Sequence, residues 1–443
     1  MNKSELKRKT SIMILKHLSI PELNFSESWK IGWDKINSLS KLDKYMTVFW
    51  FLGPFIYLIE RDPADLWLTL ICLIFLTRCI KRKDWSWVNQ IWFKSALALW
   101  IFGLFSAITG PDPLFTFQQG FTWIRFPVYV AAAQVWLAKD RDVRVVMLLS
   151  ILVGMIIMCG ILIAENLIIP SERLSWPYGD LVPGGYLAKV SLPLFCTLMA
   201  IAVSNKSKAS ILYGMIVLLC IIVISLTGER TNFLLLACGG IVASLVWKPK
   251  FIIVSSLIFI QIFAVLILVS NLHEDRISRY TGKFLNSIPI TNTSDNNPYW
   301  GAWRGGIQQG LLNPIKGIGP SGTRNTCATL DTNLPKWLPG KNYCGNHPHN
   351  FYVQLFAETG IVGLLMGCIM FASIILSCYR ARKYNFDCPM AATAFVVPFG
   401  LFFPIQQFGS FYGQWGNLFT WFAIAFALSQ YQGWRDTNSS FEK

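Results

Sequence analysis

Apolar stretches of about 17 to 25 residues recur along nearly the whole chain. Each is long enough to cross roughly 30 Å of hydrocarbon as a helix. With 53% hydrophobic and 14% charged residues over 443 positions, the composition excludes a set of soluble domains. The reading is an all-α polytopic membrane protein of about twelve transmembrane helices, at 46–60, 65–80, 91–109, 121–138, 144–165, 184–203, 209–227, 231–247, 251–271, 350–378, 389–405 and 412–430. The first run begins near Met46, and no short apolar core with a small-residue cleavage site precedes it, so no cleavable signal peptide is expected.

The formal net charge is +15, and its distribution decides what it means. Alternating the spans gathers Arg78–Lys83, Lys139–Arg144, Lys206 and Lys208, Lys248 and Lys250, and Arg380–Lys383 on one side. That side is cytoplasmic by the positive-inside rule. Residues 1–45 form a basic cytoplasmic segment, in which Ser11–Ile20 is either an amphipathic piece in the headgroup layer or part of a loose tail. An even number of spans returns residues 431–443 to the cytoplasm as well. No basic face with interleaved aromatics suggests nucleic acid.

Between helices 1–9 (46–271) and helices 10–12 (350–430) lies one large external loop, 272–349. It is too long for a connection and too polar to span. It holds a helix-like stretch, Trp300–Leu312, and a Gly/Pro-rich turn, Gly317–Gly322; eight basic against four acidic residues make it attractive to anions. Of eleven cysteines only Cys327 and Cys344 fall in this oxidising compartment, which predicts a disulfide between them. A zinc site with the neighbouring histidines is the rival, but the spacing matches no common zinc pattern.

The chemistry concentrates at His347-Pro-His349-Asn350, which opens the tenth span with two of only four histidines. Such imidazoles are suited to proton transfer near neutral pH; the alternative is a helix cap built on Asn350. Arg230 lies in the tight external turn Leu226–Asn232, either as an anion clamp or as a snorkelling anchor beside Glu229. Arg304, beside Trp303, and Arg324 are the loop's other candidate clamps, the alternative being a merely solvated loop surface. Arg125 and Lys189, near outer span ends, either snorkel or face a polar cavity. Gly360, Gly363 and Gly367 make a small face for close helix contact. Gly317–Gly322 fits G-x-G-x-x-G but follows a helix-like stretch, so it predicts no dinucleotide site, although a phosphate-facing loop stays open. Asp140-Arg-Asp142 is read as a charge cluster. No external carboxylate pair has metal spacing, so neither metal nor other cofactor is expected.

Taken together, Gly228-Glu-Arg230, Trp303, Asn313-Pro314, Gly317-Ile-Gly319 and His349-Asn350, followed by Glu358-Thr-Gly360, resemble the O-antigen ligase and O-antigen polymerase superfamily. The resemblance implies a C-type membrane glycosyltransferase fold in the bacterial inner membrane, with the large loop and active site in the periplasm. It implies a glycan donor carried on undecaprenyl diphosphate and a hydroxyl acceptor, either the lipid A-core of lipopolysaccharide or a second carrier-linked glycan. Carried over, Arg230 matches a diphosphate-holding arginine and His349 the histidine that activates the acceptor. Arg304 follows the Trp where many members place an arginine about four residues before it, so Arg324, Arg276 or Arg279 competes for the second clamp. His347, Asn350, Arg324, Trp303, Arg125 and Lys189 are the substrate-binding candidates. Two arginines neutralising a diphosphate leaving group need no metal, and attack from the opposite face inverts the anomeric centre. A secondary transporter is the alternative from another class, but its polar groups would sit at mid-membrane in broken helices.

Overall fold

The computed structural model describes residues 25–138, 140–169, 174–179, 182–204, 208–247, 298–326, 345–384, 388–404 and 409–431. Among these the chain is helical throughout, without a strand. In order the helices are α1 (Phe25–Asn37), α2 (Lys41–Phe51), α3 (Gly53–Ile59), α4 (Arg61–Arg82), α5 (Ile91–Ile108), α6 (Pro113–Trp123), α7 (Arg125–Trp136), α8 (Arg141–Ile168), α9 (Pro183–Val190), α10 (Leu192–Ser204), α11 (Lys208–Leu226) and α12 (Arg230–Trp247). After the first part of the loop come α13 (Pro298–Leu312), α14 (Thr323–Thr326), α15 (Phe351–Tyr384), α16 (Pro389–Thr393), α17 (Val396–Leu401) and α18 (Trp415–Leu428). Ser11–Ile20, the span expected at 251–271, Arg276, Arg279, Cys327 and Cys344 lie outside the described residues.

Four of the described helices are long and apolar enough to cross a membrane: α4, α5, α8 and Phe351–Arg382 of α15. A fifth crossing is the pair α9 and α10, bent by 50°. Proline accounts for the bend. Pro193 has no N–H to give, and its ring crowds the carbonyl of Lys189 four residues back; the backbone answers with a π-helical turn at Tyr186–Val190. Proline and glycine likewise divide the run expected at 46–60 into α2 and α3, and that at 389–405 into α16 and α17. Large apolar side chains such as Leu66, Leu73 and Ile80 on α4, and Ile101, Phe105 and Ile108 on α5, remain exposed, as lipid-facing residues do.

The buried centre is aromatic. Trp50, Tyr57, Trp67, Trp123, Tyr129 and Trp421 are all nearly or fully buried, and the Tyr57 ring meets Trp67, Phe419 and Phe422 edge-on at 5.4 to 5.5 Å. The buried charge of Arg78 is paired with Asp43 at 3.1 Å, and Trp136 Nε1 donates to the same carboxylate.

The basic N-terminal segment contains a helix that its composition does not announce. α1 lies on α8, with Gly32 against the Asp142 carbonyl, and Lys35 Nζ reaches Asp140 at 2.6 Å and Asp142 at 3.0 Å. Asp140 also caps α8 through the Asp142 N–H. Burial works against both charges. The hydrogen bonds between them outweigh it, so the Asp140 carboxyl lies below its ordinary range and the Lys35 ammonium above its own.

Candidate functional site

Two glycines bring α13 against the mouth of α15. A Cβ on Gly306 would stand 2.7 Å from Val353 Cγ1 and 2.9 Å from Pro348 Cγ, and one on Gly310 would strike the Phe356 ring. This close approach presents the face of α13 to the two histidines. The rings of His347 and His349 lie 4.2 Å apart, and Tyr299 meets His349 edge-on at 5.5 Å. His349 sits at φ +57°, a left-handed backbone that histidine adopts more readily than most residues, though still at some cost. Its neighbours hold it there: Pro348 is pinned on Gly306, and Asn350 is anchored on both sides of its amide.

Asn350 is the N-cap of α15. Its Oδ1 accepts from the N–H groups of Tyr352 at 2.9 Å and Val353 at 3.1 Å, while its Nδ2 donates to the Pro404 carbonyl at 2.7 Å. The alternative between cap and ligand group therefore has a structural answer for this residue: its amide is occupied. Trp303 and Arg304 lie on α13, the first nearly and the second completely buried.

A second group forms at the turn before α12. Gly228 takes φ +69°, so the chain reverses and Arg230 becomes the first residue of α12. Glu229 accepts from the Gly184 N–H at 3.1 Å and from the Asn232 amide, which ties the turn to the start of α9. Lys189, on the π-turn of α9, is buried and feels the charge of Glu229. Arg230, Glu229 and Lys189 thus belong to one corner of the fold. Segment 402–404 links this corner to the histidines: it follows α17, which packs on α12, and its Phe402 carbonyl accepts from Tyr352 at 2.5 Å.

Arg125 stands apart from both. Its guanidinium is bidentate to Asp65, at 2.9 and 3.1 Å, and also donates to Thr69 Oγ1 and the Thr122 carbonyl. An ion pair between α4 and α7, rather than snorkelling, keeps this charge near the span end.

The Gly317–Gly322 turn is not a phosphate cradle, because its amides are already engaged. The turn is buried between α5, α6 and α15, where every backbone donor needs a partner. Ile318 N–H goes to the Ala357 carbonyl, Gly319 N–H to the Glu358 carbonyl, and Ser321 N–H to the Glu358 carboxylate at 2.7 Å. Ser106 Oγ donates to the carbonyls of Lys316 and Glu358. Opposite the turn, α15 is broken at Gly360, φ +64° and ψ −168°. Gly360 is therefore not simply part of a small face: a Cβ there would collide with the Ile315 carbonyl. Gly363 and Gly367 do make a close contact, with Thr359 and Leu355 of the first half of the same helix.

Sequence reasoning passed over Glu358 except as part of a motif. The signal was a carboxylate inside an apolar run, which is costly unless satisfied; here it is completely buried and accepts from Ser321, Thr323 and Gln354. Among the described residues no three His, Cys, Asp or Glu side chains converge as metal ligands do. Chemically, the arrangement offers an imidazole pair suited to accepting a proton, with cationic side chains on the neighbouring elements.

No curated protein matches the chain. Residues 215–368 match the family model described as O-antigen ligase, a stretch that includes Arg230, Arg304, Arg324 and the His347–Asn350 corner. With the apolar helices, this match indicates a multi-pass membrane protein with a function of the O-antigen ligase or polymerase type. Residues 215–368 thus carry a domain of the O-antigen ligase family, which supports placing the chain in that superfamily.

Proposed function

We propose that the protein transfers a glycan from undecaprenyl diphosphate to a hydroxyl of the lipid A-core of lipopolysaccharide, at the periplasmic face of the bacterial inner membrane. Both termini then face the cytoplasm, and the loop 272–349 with helices α13 and α14 belongs to the periplasmic side. The observation that carries this reading is the close His347–His349 pair, rings 4.2 Å apart, held in a left-handed turn at the mouth of α15 inside the segment that matches O-antigen ligase.

In this reading His349 is the general base. It takes the proton of the acceptor hydroxyl as that oxygen bonds to the anomeric carbon. The bond from that carbon to the carrier diphosphate breaks from the opposite face, with inversion, and the electron pair leaves with the diphosphate. Arg230 and Arg304 neutralise the departing charge, and Arg324 and Lys189 add to the cationic surroundings. His347 and Trp303 line the saccharide side, Asn350 caps the helix that follows His349, and Arg125 contributes to the fold outside the site through its pair with Asp65. No metal or other cofactor takes part in these steps. Extension of carrier-linked repeats by the same chemistry is the second reading, since the same donor site serves both acceptors. Transport is disfavoured by the position of His347, His349 and Arg230 at helix starts rather than at mid-helix.

The test is the glycan pattern of a deletion strain complemented with wild type, His349→Ala or Arg230→Ala. Full-length glycan stranded on the carrier with bare core lipid is the expected result for both mutants. Single repeats on carrier or core would assign polymerisation instead, and a normal pattern in both mutants at normal expression would refute the site.

A further inference from the structure

Arg324 is an exposed arginine on an anchored turn. Its guanidinium has no hydrogen-bond partner among the described residues, and it is solvent-exposed. Its neighbours are tied down on either side. Thr323 Oγ1 donates to Glu358, Asn325 Nδ2 donates to Asp112 at 2.8 Å, and Thr326 donates to the Gly322 carbonyl while accepting from Gln309. The side chain is available while its backbone is fixed, the arrangement expected of a preorganised clamp rather than a solvated surface charge.

Glu358 is the centre of that anchoring. One buried carboxylate takes the Ser321 N–H, the Thr323 hydroxyl and the Gln354 amide. Gln354 in turn holds Ser410 Oγ at 2.8 Å and accepts the Phe411 N–H at 2.7 Å, and Asn417 clamps the Ser410, Phe411 and Gly413 carbonyls. Glu358 lies two turns into the helix that His349 opens, so it relates the loop that bears Arg324 to the element that bears the histidine.

We propose that Glu358 is a positioning residue for glycan transfer, which acts through Thr323 to set Arg324 as a further cation on the donor's diphosphate. This rests on the functional reading above and deepens it. Arg304, completely buried, meets the diphosphate from the inner side of α13, and Arg324 meets it from the open side.

The experiment is a double-mutant cycle on the purified full chain in lipid nanodiscs. Initial rates are measured against polyprenyl-diphosphate-linked glycan with lipid A-core acceptor, for wild type, E358Q, R324A and E358Q/R324A, each normalised to folded protein. T323V replaces E358Q in a parallel cycle, since it removes one hydroxyl and keeps the buried carboxylate. The expected result is a donor KM raised about tenfold by each single change, with little change in kcat or in acceptor KM. The double variants should be no worse than R324A alone. Multiplicative effects in both cycles, or losses confined to folded fraction and kcat, overturn the proposal and leave the functional reading standing. A folded wild type that transfers no glycan from this donor refutes both.

Discussion

Replacing Gly360 by alanine tests the central joint of the site. The residue adopts φ +64° and ψ −168°, a region essentially restricted to glycine, so alanine there costs about 1–3 kcal/mol in backbone strain alone. The new methyl group would also meet the Ile315 carbonyl and lie 2.7 Å from Lys316 N; these are backbone atoms, which cannot rotate away. Relief requires the loop to retreat, which breaks Ile361 N–H to Pro314 at 2.8 Å, Ile318 N–H to Ala357 at 3.1 Å and Gly319 N–H to Glu358 at 2.8 Å. At about 1 kcal/mol net for each, the total is roughly 4–6 kcal/mol, which is exceptional for a single methyl group. Thermal unfolding of the detergent-solubilised protein measures it, with Gly160→Ala as the control. Gly160 lies inside α8, and a methyl group placed on it would find nothing within 4 Å, so alanine there should change stability by under about 1 kcal/mol and upward. Gly360→Ala should melt well below wild type. If the two variants melt together with wild type, the break in α15 and the docking of the Gly317–Gly322 turn on it are refuted.

Four further outcomes are expected, two at the mouth of α15 and two at the contact of α1 with α8. His349→Asn keeps a residue that tolerates the left-handed backbone, so it should fold at wild-type yield and lose transfer by about 100-fold or more; retained activity in a rate assay would remove the base from the mechanism. Asn350→Ala loses the cap on Tyr352 and Val353 and the tie to Pro404, and should lower stability by about 1–2 kcal/mol, read as a fall in melting temperature. The pairing of Lys35 with Asp140 should show a flat pH response across the neutral range. Asp140, held below its ordinary value, loses its contribution only as pH falls below about 4, and Lys35, held above its own, only as pH rises beyond about 10. Limited proteolysis of α1 across pH reads this directly, and release near pH 7 would contradict the pairing. Because Lys35 is well exposed, Lys35→Ala should cost under about 1 kcal/mol.

The membrane character, the position of most apolar runs and the His347–Asn350 corner were legible in the residues, because hydrophobic length and rare titratable groups are properties of the chain itself. Apolar length could not say where a run breaks. Pro193 and Gly360 interrupt helices that hydropathy reads as continuous, since hydropathy does not register a missing N–H or a positive φ. Asn350 and Arg125 are engaged by partners 54 and 60 residues away, which local spacing does not reveal. The same holds for Gly317–Gly322. As a motif it offers free amides; buried beside Ala357 and Glu358, those amides must be satisfied within the protein.

Side-chain composition along the chain sets which segments leave water and which residue types are chemically able to act. Tertiary structure alone decided which polar groups are consumed in holding the fold, as with Asn350, Arg125 and the Gly317–Gly322 amides, and which stay available, as with Arg324. The physical reason is that a buried donor or acceptor must be paired, and its partner is fixed by how the helices pack rather than by its neighbours along the chain.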